Sequence, residues 1–217
     1  MRTLIAIGAA LVFSTSAQAS TNLVVNGSFE NGTAPGGAAF LATNNTTSIT
    51  GWKVLSTGIN YVDNSMWDAS DGSRSVELAT TAGNGGIWQR ISGFAAGYRY
   101  RLTFNVSANP FDPALRPKPS RVLVSVTGGV SEIYKYTLNN INTAGNMLYD
   151  TVSYDFIASG AMQNVQLRAA VNTQYGPVID AVNISVVPEV STWAMLIAGF
   201  SLVGLTSRRR NRAAVAA

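Results

Sequence analysis

Apolar and polar residues alternate along most of the chain between its two ends. The pattern is clearest at residues 98–108, where every second position is apolar: Tyr100, Leu102, Phe104, Val106 and Ala108. A period of two predicts an antiparallel strand with one buried face and one solvated face. No stretch of the central sequence has the 3.6-residue period of an amphipathic helix, so the pattern favours an all-β protein.

Further strands are predicted where short apolar runs lie between Gly, Asn, Pro and Asp residues. They cover residues 23–25, 38–42, 49–55, 59–62, 74–79, 87–91, 122–126, 132–138, 147–157, 164–171 and 178–187. Residues 83–86 are predicted as a turn, and the proline-rich residues 109–120 as a loop. About ten to twelve strands in about 170 residues predict one domain, a single jelly-roll β-sandwich over residues 20–187.

The N-terminus has the three parts of a secretory signal peptide. Met1 and Arg2 form a short positive region, residues 4–13 are apolar, and Ala17-Gln18-Ala19 is a small-x-small cleavage site. A buried N-terminal helix is a weaker interpretation because the apolar run is short. Residues 1–19 are therefore predicted to be removed on export, and the mature protein to begin at Ser20.

The C-terminus carries a second targeting segment, at residues 188–212. A polar motif stands first and an apolar run at about 193–206 follows it. The motif is Val187, Pro188, Glu189, Val190, Ser191, Thr192 and Trp193, and the basic cluster after the run is Arg208, Arg209, Arg210 and Arg212. The run predicts a hydrophobic sorting helix, because it is shorter than the ~20 residues that a stable transmembrane helix needs. A plain membrane anchor, held by its cytoplasmic arginines, is the alternative.

These C-terminal residues resemble the PEP-CTERM sorting signal of Gram-negative bacteria that make exopolysaccharide. The family's pattern is Val-Pro-Glu-Pro-Ser-Thr-Trp-Ala, and Val190 here replaces its second proline. The resemblance implies an exosortase-type enzyme as a partner, at least transient membrane contact, and delivery to the cell envelope, cell surface or extracellular matrix. An ice-binding label given to such tails describes the tail and is poor evidence that this chain binds ice.

The charge of the chain does not indicate a nucleic-acid partner once the two targeting segments are set aside. The whole chain has 15 basic and 11 acidic residues and a formal net charge of +4. Five of the basic residues are Arg2 and the four C-terminal arginines, and one of the acids is Glu189, so ten of each remain in the body. A near-neutral body gives no electrostatic support for nucleic-acid binding.

Cysteine and histidine are both absent from the sequence. Their absence excludes disulfides, a Ser-His-Asp triad, a cysteine nucleophile and the common zinc sites. The remaining carboxylates, hydroxyls, amides and aromatic rings suit calcium and sugars better than redox chemistry or acyl transfer.

Glu30 and Asp180 are the candidate ligands of a structural calcium ion. Strict alternation in the last strand places Asp180 on the same face as Val182 and Ile184, and a buried carboxylate is costly unless it is paired, hydrogen-bonded or bound to a metal. Glu30 follows the first strand, and the first and last strands of a sandwich often end close together. Calcium held by both carboxylates is one solution, and hydrogen bonds from loop amides are the other.

Motifs spread over the whole body resemble the choice-of-anchor C family and the wider galactose-binding-like jelly rolls. They are residues 22–30 (Asn-Leu-Val-Val-Asn-Gly-Ser-Phe-Glu), 51–52 (Gly-Trp), 71–78 (Asp-Gly-Ser-Arg-Ser-Val-Glu-Leu), 86–89 (Gly-Ile-Trp-Gln) and 176–182 (Gly-Pro-Val-Ile-Asp-Ala-Val). The resemblance implies a carbohydrate-binding sandwich with a structural calcium near its first and last strands, which fits Glu30 and Asp180.

Four aromatic residues are candidates for sugar binding, because flat rings stack on pyranose faces beside amides and carboxylates. They are Tyr61, Trp67, Trp88 and Tyr175, of which Trp88 is expected to point outward. Core or rim packing is the default interpretation of each. The basic loop at residues 109–121 is a further candidate, for contact with an acidic polysaccharide, with solvated loop charges as its default interpretation.

Three functions are compatible with these residues. The first is a non-catalytic, exported surface or matrix protein that associates with exopolysaccharide. The second is a dedicated lectin, which would gather two or more of the four aromatics beside Asp or Asn in one concave site. The third is a glycosidase with two carboxylates, for which Glu77 is the best lone candidate, although an outward surface acid explains it equally well. The absence of an evident acid pair in the sequence favours a protein that is not an enzyme.

Overall fold

The computed structural model describes residues 21–80, 83–138, 140–171 and 173–188, together with residues 197 and 199–201. Twelve strands lie in these described residues: β1 (Ala38–Leu41), β2 (Lys53–Ser56), β3 (Ile59–Asp63), β4 (Arg74–Glu77), β5 (Ala79–Thr80), β6 (Gly83–Ser92), β7 (Arg99–Ala108), β8 (Ser120–Val126), β9 (Glu132–Tyr136), β10 (Asp150–Ile157), β11 (Met162–Ala169) and β12 (Pro177–Val186). The prediction of an all-β body is confirmed.

The strands form two antiparallel sheets. The first sheet has the order β1-β3-β4-β12-β7-β10, and the second has the order β2-β6-β11-β8-β9, with β5 paired to β6. Successive strands repeatedly change sheet, for example from β6 to β7 and from β10 to β11, and this connection pattern is typical of jelly-roll sandwiches. Both sheets contribute to one core, which includes Tyr61, Phe104 and Ile184 from the first sheet and Ile87 and Leu167 from the second.

Strand β7 confirms the period-two prediction. Its apolar positions are buried in the core, and these are Tyr100, Leu102, Phe104, Val106 and Ala108. Arg99 and Arg101 on the other face are exposed. The strand is hydrogen-bonded to β12 on one side and to β10 on the other, so its apolar face forms the middle of the first sheet's inner surface.

The predicted strand at residues 23–25 is wrong. This segment bends and turns, because side chains take the backbone hydrogen bonds that a sheet ladder would have used. The Val24 N–H donates to Asn22 Oδ1 (3.0 Å), and the Val25 N–H donates to Gln89 Oε1 (2.8 Å). A main-chain bond from the Leu23 N–H to the Ile184 carbonyl (2.9 Å) holds the segment beside β12.

The predicted turn at residues 83–86 is also wrong, since β6 begins at Gly83. A Cβ atom at Gly85 would lie 1.8 Å from the carbonyl oxygen of Gly58, in the connection between β2 and β3. The glycines therefore serve the close approach of two backbones and do not mark a turn. The strand predicted at residues 49–55 is shorter than expected, because β2 begins only at Lys53.

The two targeting segments lie largely outside the described residues. This applies to the signal peptide at 1–19, to motif residues Glu189, Val190, Ser191, Thr192 and Trp193, and to Arg208, Arg209, Arg210 and Arg212. Within the described part of the chain, no helix has the length and apolarity needed to cross a membrane. Secretion and sorting therefore stay predictions.

Candidate functional site

A β-bulge in β12 decides where Asp180 points. The pairing of β12 with β7 shifts between Asp180 and Asn183, and Ala181 adopts a positive φ of 52°. Asp180 pairs with Asn105 on the side of the first sheet that faces away from the core, whereas Val182 and Ile184 beyond the bulge lie in the core. The prediction that Asp180 shares the face of these two residues is therefore wrong, because a bulge reverses the alternation.

Asp180 is nonetheless fully buried, at 0 % exposure, and the β3–β4 loop (residues 64–73) donates hydrogen bonds to it. Its Oδ2 accepts hydrogen bonds from the backbone N–H groups of Ser70 and Asp71 (both 2.8 Å) and from the Ser70 hydroxyl (3.0 Å). Its Oδ1 accepts one from the Ala181 N–H (2.6 Å). Burial raises the pKa of Asp180 to about 7, because the loss of hydration outweighs the stabilisation of the carboxylate by these donors.

Glu30 holds the other end of the same loop. Its Oε1 accepts hydrogen bonds from the N–H groups of Ser73 (2.8 Å) and Arg74 (2.7 Å), and its Oε2 accepts one from the Ser73 hydroxyl (2.7 Å). Gly72 lies between the two attachment points with φ +75°, and a Cβ there would come within 2.6 Å of Glu30 Cδ. The Asp-Gly-Ser-Arg motif is therefore a loop clamped at both ends by carboxylates, with glycine required at its tightest point.

This clamp bears on the calcium prediction for Glu30 and Asp180. Calcium needs six to eight oxygen ligands around one point. Here the carboxylate oxygens face N–H and O–H donors instead, which supply the positive partial charge that a cation would supply. Among the described residues, no group of three or more acidic, histidine or cysteine side chains is gathered that could hold a metal ion. The described contacts fit hydrogen-bond donors better than a cation, and calcium binding stays a prediction.

Two of the four candidate aromatics are buried, so neither offers a ring face to a sugar. Tyr61 (0 % exposed) donates its hydroxyl to the Phe29 carbonyl (2.5 Å) and accepts a bond from Arg74 Nη1 (2.9 Å). Trp67 (3 % exposed) donates its Nε1–H to Ser75 Oγ (2.9 Å) in a second, small core outside the first sheet. The prediction of ligand contact is corrected for both residues.

The other two aromatics lie in different parts of the sandwich. Tyr175 stands in the loop before β12, and its hydroxyl donates to Asp112 Oδ2 (2.6 Å). Trp88 stands in the middle of β6 and, as expected, points outward from the second sheet, where it is half-buried. The four rings therefore do not converge on one concave site, and this counts against a lectin built from that cluster.

Glu77 is not the surface acid that the sequence allows. It lies on the face of β4 opposite Val76, as alternation predicts, but it is only 2 % exposed. Its carboxylate accepts bonds from Asn60 Nδ2 (2.9 Å), Asn109 Nδ2 (2.7 Å) and the Gly176 N–H (3.1 Å). Burial raises its pKa to about 7. A substrate cannot reach Glu77 or Asp180 in this arrangement, so the two buried acids do not form a glycosidase pair.

A row of side chains crosses the outer face of the second sheet at Trp88. Strand register places Lys53 of β2, Trp88 of β6, Gln166 of β11 and Ser125 of β8 beside one another. The Lys53 ammonium lies 5.9 Å from the centre of the Trp88 ring, within the range of a cation–π contact. The ring borders a cleft of about 330 Å³, here called the Trp88 cleft, which is also lined by Thr46, Gly51, Trp52, Lys53, Gln89 and Arg90.

The floor of the Trp88 cleft is tied to the rest of the sandwich by buried polar side chains. The Gln89 amide exchanges two hydrogen bonds with the Val25 backbone, one to its N–H and one to its carbonyl (both 2.8 Å). Trp52 Nε1–H donates to the Asn26 carbonyl (2.9 Å). Sequence reasoning identified Trp88 but missed Lys53, Gln89 and Gln166, because their proximity depends on which strands pair.

Residues 22–185 match the family described as "Protein of unknown function (DUF642)". The chain belongs to the DUF642 family. The residues that match this family include almost all of both sheets of the sandwich. The DUF642 chain is also 40 % identical over 109 residues to halomucin of Haloquadratum walsbyi (strain DSM 16790 / HBSQ001). That similarity covers 47 % of this chain and 1 % of halomucin, so the chain spans about one hundredth of this curated relative.

Solved structures similar to the DUF642 chain include TmCBM61 in complex with β-1,4-galactotriose. It superposes with a TM-score of 0.48 and 15 % identity, over 77 % of this chain and 100 % of that chain. The CBM22-1 xylan-binding domain from Paenibacillus barcinonensis Xyn10C superposes with a TM-score of 0.42 and 13 % identity, over 81 % of this chain and 100 % of that chain. At such low identities and TM-scores, these likenesses carry no inference about ligands.

Proposed function

We propose that this DUF642 protein is a non-catalytic carbohydrate-binding protein whose sugar site is the Trp88 cleft. The observation that carries the proposal is the half-buried ring of Trp88 in a row with Lys53, Gln166 and Ser125 on an open sheet face. An indole ring offers apolar area to the C–H face of a pyranose, while amide, hydroxyl and ammonium groups bind its hydroxyls. This combination is typical of sugar recognition.

The anchored floor of the cleft supports the same function. Gln89 and Trp52 are each less than 4 % exposed, and each is hydrogen-bonded to the backbone of residues 25–26. A site whose walls are already fixed loses little conformational entropy when a ligand binds. The cleft is also open to solvent, which suits a polymer chain better than an isolated monosaccharide.

The targeting sequences support an extracellular setting for this function. We propose that residues 1–19 direct secretion and that an exosortase-type enzyme recognises the motif at 187–193 in a Gram-negative bacterium. The protein would then reach the cell envelope, surface or matrix and associate there with exopolysaccharide, as the resemblance to PEP-CTERM and choice-of-anchor C proteins implies. Intact-mass analysis of the mature protein is expected to give Ser20 as the first residue and to lack the C-terminal arginines. A retained tail would contradict sorting and indicate a plain anchor.

Substituting alanine for Trp88 is expected to weaken polysaccharide binding at least tenfold, which corresponds to about 1.4 kcal/mol. The reason is that the ring is the largest apolar surface available to a sugar in the cleft. Binding of the full chain to a glycan array, and to polysaccharide purified from the producing organism, provides the measurement.

Tyr98→Ala is the matched control for this experiment. Tyr98 is 53 % exposed and directly precedes β7, a strand of the first sheet. The substitution therefore removes an exposed aromatic ring that is not part of the Trp88 cleft. Equal binding by Trp88→Ala and the unchanged chain would refute the site. A chain that binds none of the tested polysaccharides would refute carbohydrate binding itself.

A further inference from the structure

Basic side chains are concentrated on the outer face of the second sheet. Each of its five main strands contributes one: Lys53 (β2), Arg90 (β6), Arg168 (β11), Arg121 (β8) and Lys135 (β9). We call these five residues the cationic face. Strand register confirms that they share one side, since Lys53 pairs with Trp88, Arg168 pairs with Leu123, and Arg121 pairs with Lys135.

Acidic side chains are missing from the same surface. None of the outward-facing strand residues that the structure describes on the second sheet is Asp or Glu. Glu132, the acid in these strands, pairs with the buried Val124 and so has the opposite orientation. Five acids lie in the strands of the first sheet: Asp63, Glu77, Asp150, Asp155 and Asp180. The outer face of the second sheet therefore carries positive charge alone. The strands of the first sheet carry both signs, since they also contain Arg74, Arg99 and Arg101, and two of their five acids, Glu77 and Asp180, are buried.

The cationic face is not neutralised from within the protein. The ion pair found among the described residues joins Arg101 to Asp155, on the first sheet (2.6 Å). Two other basic residues outside the face are occupied elsewhere: Arg74 binds the Glu30 carbonyl (2.8 Å), and Arg116 is buried against Asn109 and Asn142. The prediction that the loop at 109–121 contacts an acidic polysaccharide is weakened, because Arg116 points inward. Arg121, the last residue of that segment, belongs to the cationic face.

The guanidinium of Arg168 is held in place on the cationic face. Its side-chain stem covers Gly86, where a Cβ would come within 2.4 Å of Arg168 Cγ, and its Nη2 donates to Ser56 Oγ (2.6 Å) on β2. A fixed guanidinium binds a carboxylate or sulfate at a lower entropic cost than a free one.

The spacing of the charges suits a polymer. Neighbouring strands lie about 4.8 Å apart, so the five strands spread the cationic face over roughly 19 Å. That distance exceeds the size of one sugar ring. The charges do not form a single row: Lys53 is level with Trp88, Arg90 lies two residues to one side, and Arg168 lies two residues to the other side, followed by Arg121 and Lys135. A chain of sugars that runs obliquely from β2 to β9 would pass the Trp88 ring and then Arg168, Arg121 and Lys135.

The geometry points to an acidic polysaccharide, one whose sugars carry carboxylate groups, as the ligand of the second sheet's outer face. This inference rests on the proposed function, since Trp88 supplies the sugar contact and the five basic residues supply the preference for negative charge. The whole-chain net charge gives no such indication, because all of the excess positive charge belongs to the two ends of the sequence.

The test compares polygalacturonate with its fully methyl-esterified form, which has the same sugar backbone without the charge. The full chain is expected to bind polygalacturonate at least about tenfold more tightly at low salt. That preference should shrink as NaCl rises from about 50 to about 300 mM, because exposed charges are screened. Equal binding of both forms would overturn the acidic preference and leave the carbohydrate proposal standing.

A double variant that removes two positive charges tests whether the preference for polygalacturonate arises from the cationic face. Arg121→Gln with Lys135→Gln removes two adjacent charges that lie on β8 and β9, away from Trp88 on β6. It is expected to weaken polygalacturonate binding about tenfold and to leave binding of the esterified form unchanged. Arg99→Gln with Arg101→Gln makes the same change of net charge at exposed positions of β7, in the first sheet, and should have little effect.

Three further outcomes distinguish this inference from the proposed function on which it rests. Loss of binding to both polymers in Trp88→Ala, together with a selective loss in the double variant, supports both proposals. Binding of double-stranded DNA as tight as that of polygalacturonate at the same salt concentration would identify a general polyanion surface and overturn the polysaccharide assignment. Failure of the unchanged chain to bind either polymer would overturn the acidic-polysaccharide inference, and carbohydrate binding itself would be refuted only if the glycan array also gave no binding.

Discussion

Replacing Asp180 with alanine is expected to lower the free energy of unfolding by about 3–5 kcal/mol. Asp180 is 0 % exposed and accepts four hydrogen bonds, three of them from Ser70 and Asp71 in the β3–β4 loop. Each buried donor left without an acceptor costs roughly 1–3 kcal/mol, and partial opening of the loop to water limits the total. Because proteins of this size are stable by only about 5–15 kcal/mol, the variant should be close to unfolding at room temperature.

Urea and thermal unfolding of the full chain measure this loss. Asp155→Ala is the control, because Asp155 also accepts two hydrogen bonds, from Arg101, but does so at the surface. Exposed ion pairs contribute about 0–1 kcal/mol, so this variant should remain stable. If Asp180→Ala is no less stable than Asp155→Ala, the carboxylate clamp is not what holds the loop. Added chelator distinguishes a metal site, because only a bound cation would make the stability of the unchanged chain depend on it.

The fold was predictable where the chain obeys strict alternation. In β7 the period of two runs without interruption from Arg99 to Ala108, and every predicted inward residue is buried. In β12 the same reasoning fails at Ala181, because a residue with positive φ inserts a bulge that no sequence signal marks. This error affected the predicted site, because the bulge turns Asp180 away from the core and towards the β3–β4 loop.

Sequence motifs were recognised correctly as important, but their roles are largely structural. Asn26 and Gly27 illustrate this: Asn26 bonds the backbone of Asn31 and Thr50, and a Cβ at Gly27 would come within 1.9 Å of the Val182 carbonyl oxygen. Both residues shape the turn that replaces the expected first strand. A short motif cannot reveal whether it binds a ligand or the protein's own backbone, because hydrogen-bonding groups of the same types serve both purposes.

The candidate site depended on strand pairing, which the sequence does not specify. Alternation alone indicates that Trp88 and Arg90 share one face of β6, and that Gln166 and Arg168 share one face of β11. Only the sheet order β2-β6-β11-β8-β9 brings these residues together with Lys53, Arg121 and Lys135. A charge pattern that cancels along the sequence can therefore be strongly asymmetric in space.

The melting temperature of the full chain is expected to be clearly higher at pH 5 than at pH 8. Burial raises the pKa of both Glu77 and Asp180 to about 7, well above the ordinary range for carboxyl groups. The folded state therefore binds more protons than the unfolded state between about pH 4 and 7, and stability falls as pH rises through that window. The contribution is about 3–4 kcal/mol for each group, fully present below about pH 4 and lost above pH 7.

The composition of the chain makes this pH dependence easy to assign, because the sequence contains no histidine, the side chain that ordinarily titrates between pH 5 and 8. Asp63 and Asp155 have a lowered pKa, from hydrogen bonds with Gly37 and Arg101 respectively, so they affect stability only at more acidic pH. The double variant Glu77→Gln with Asp180→Asn removes both buried acids, and its melting temperature should vary little from pH 5 to pH 8. A melting temperature of the unchanged chain that stays constant from pH 5 to pH 8 would show that both carboxyl groups are already ionised in the folded protein at pH 5. In that case the hydrogen bonds from Asn60, Asn109 and the β3–β4 loop, and not desolvation, would dominate their titration.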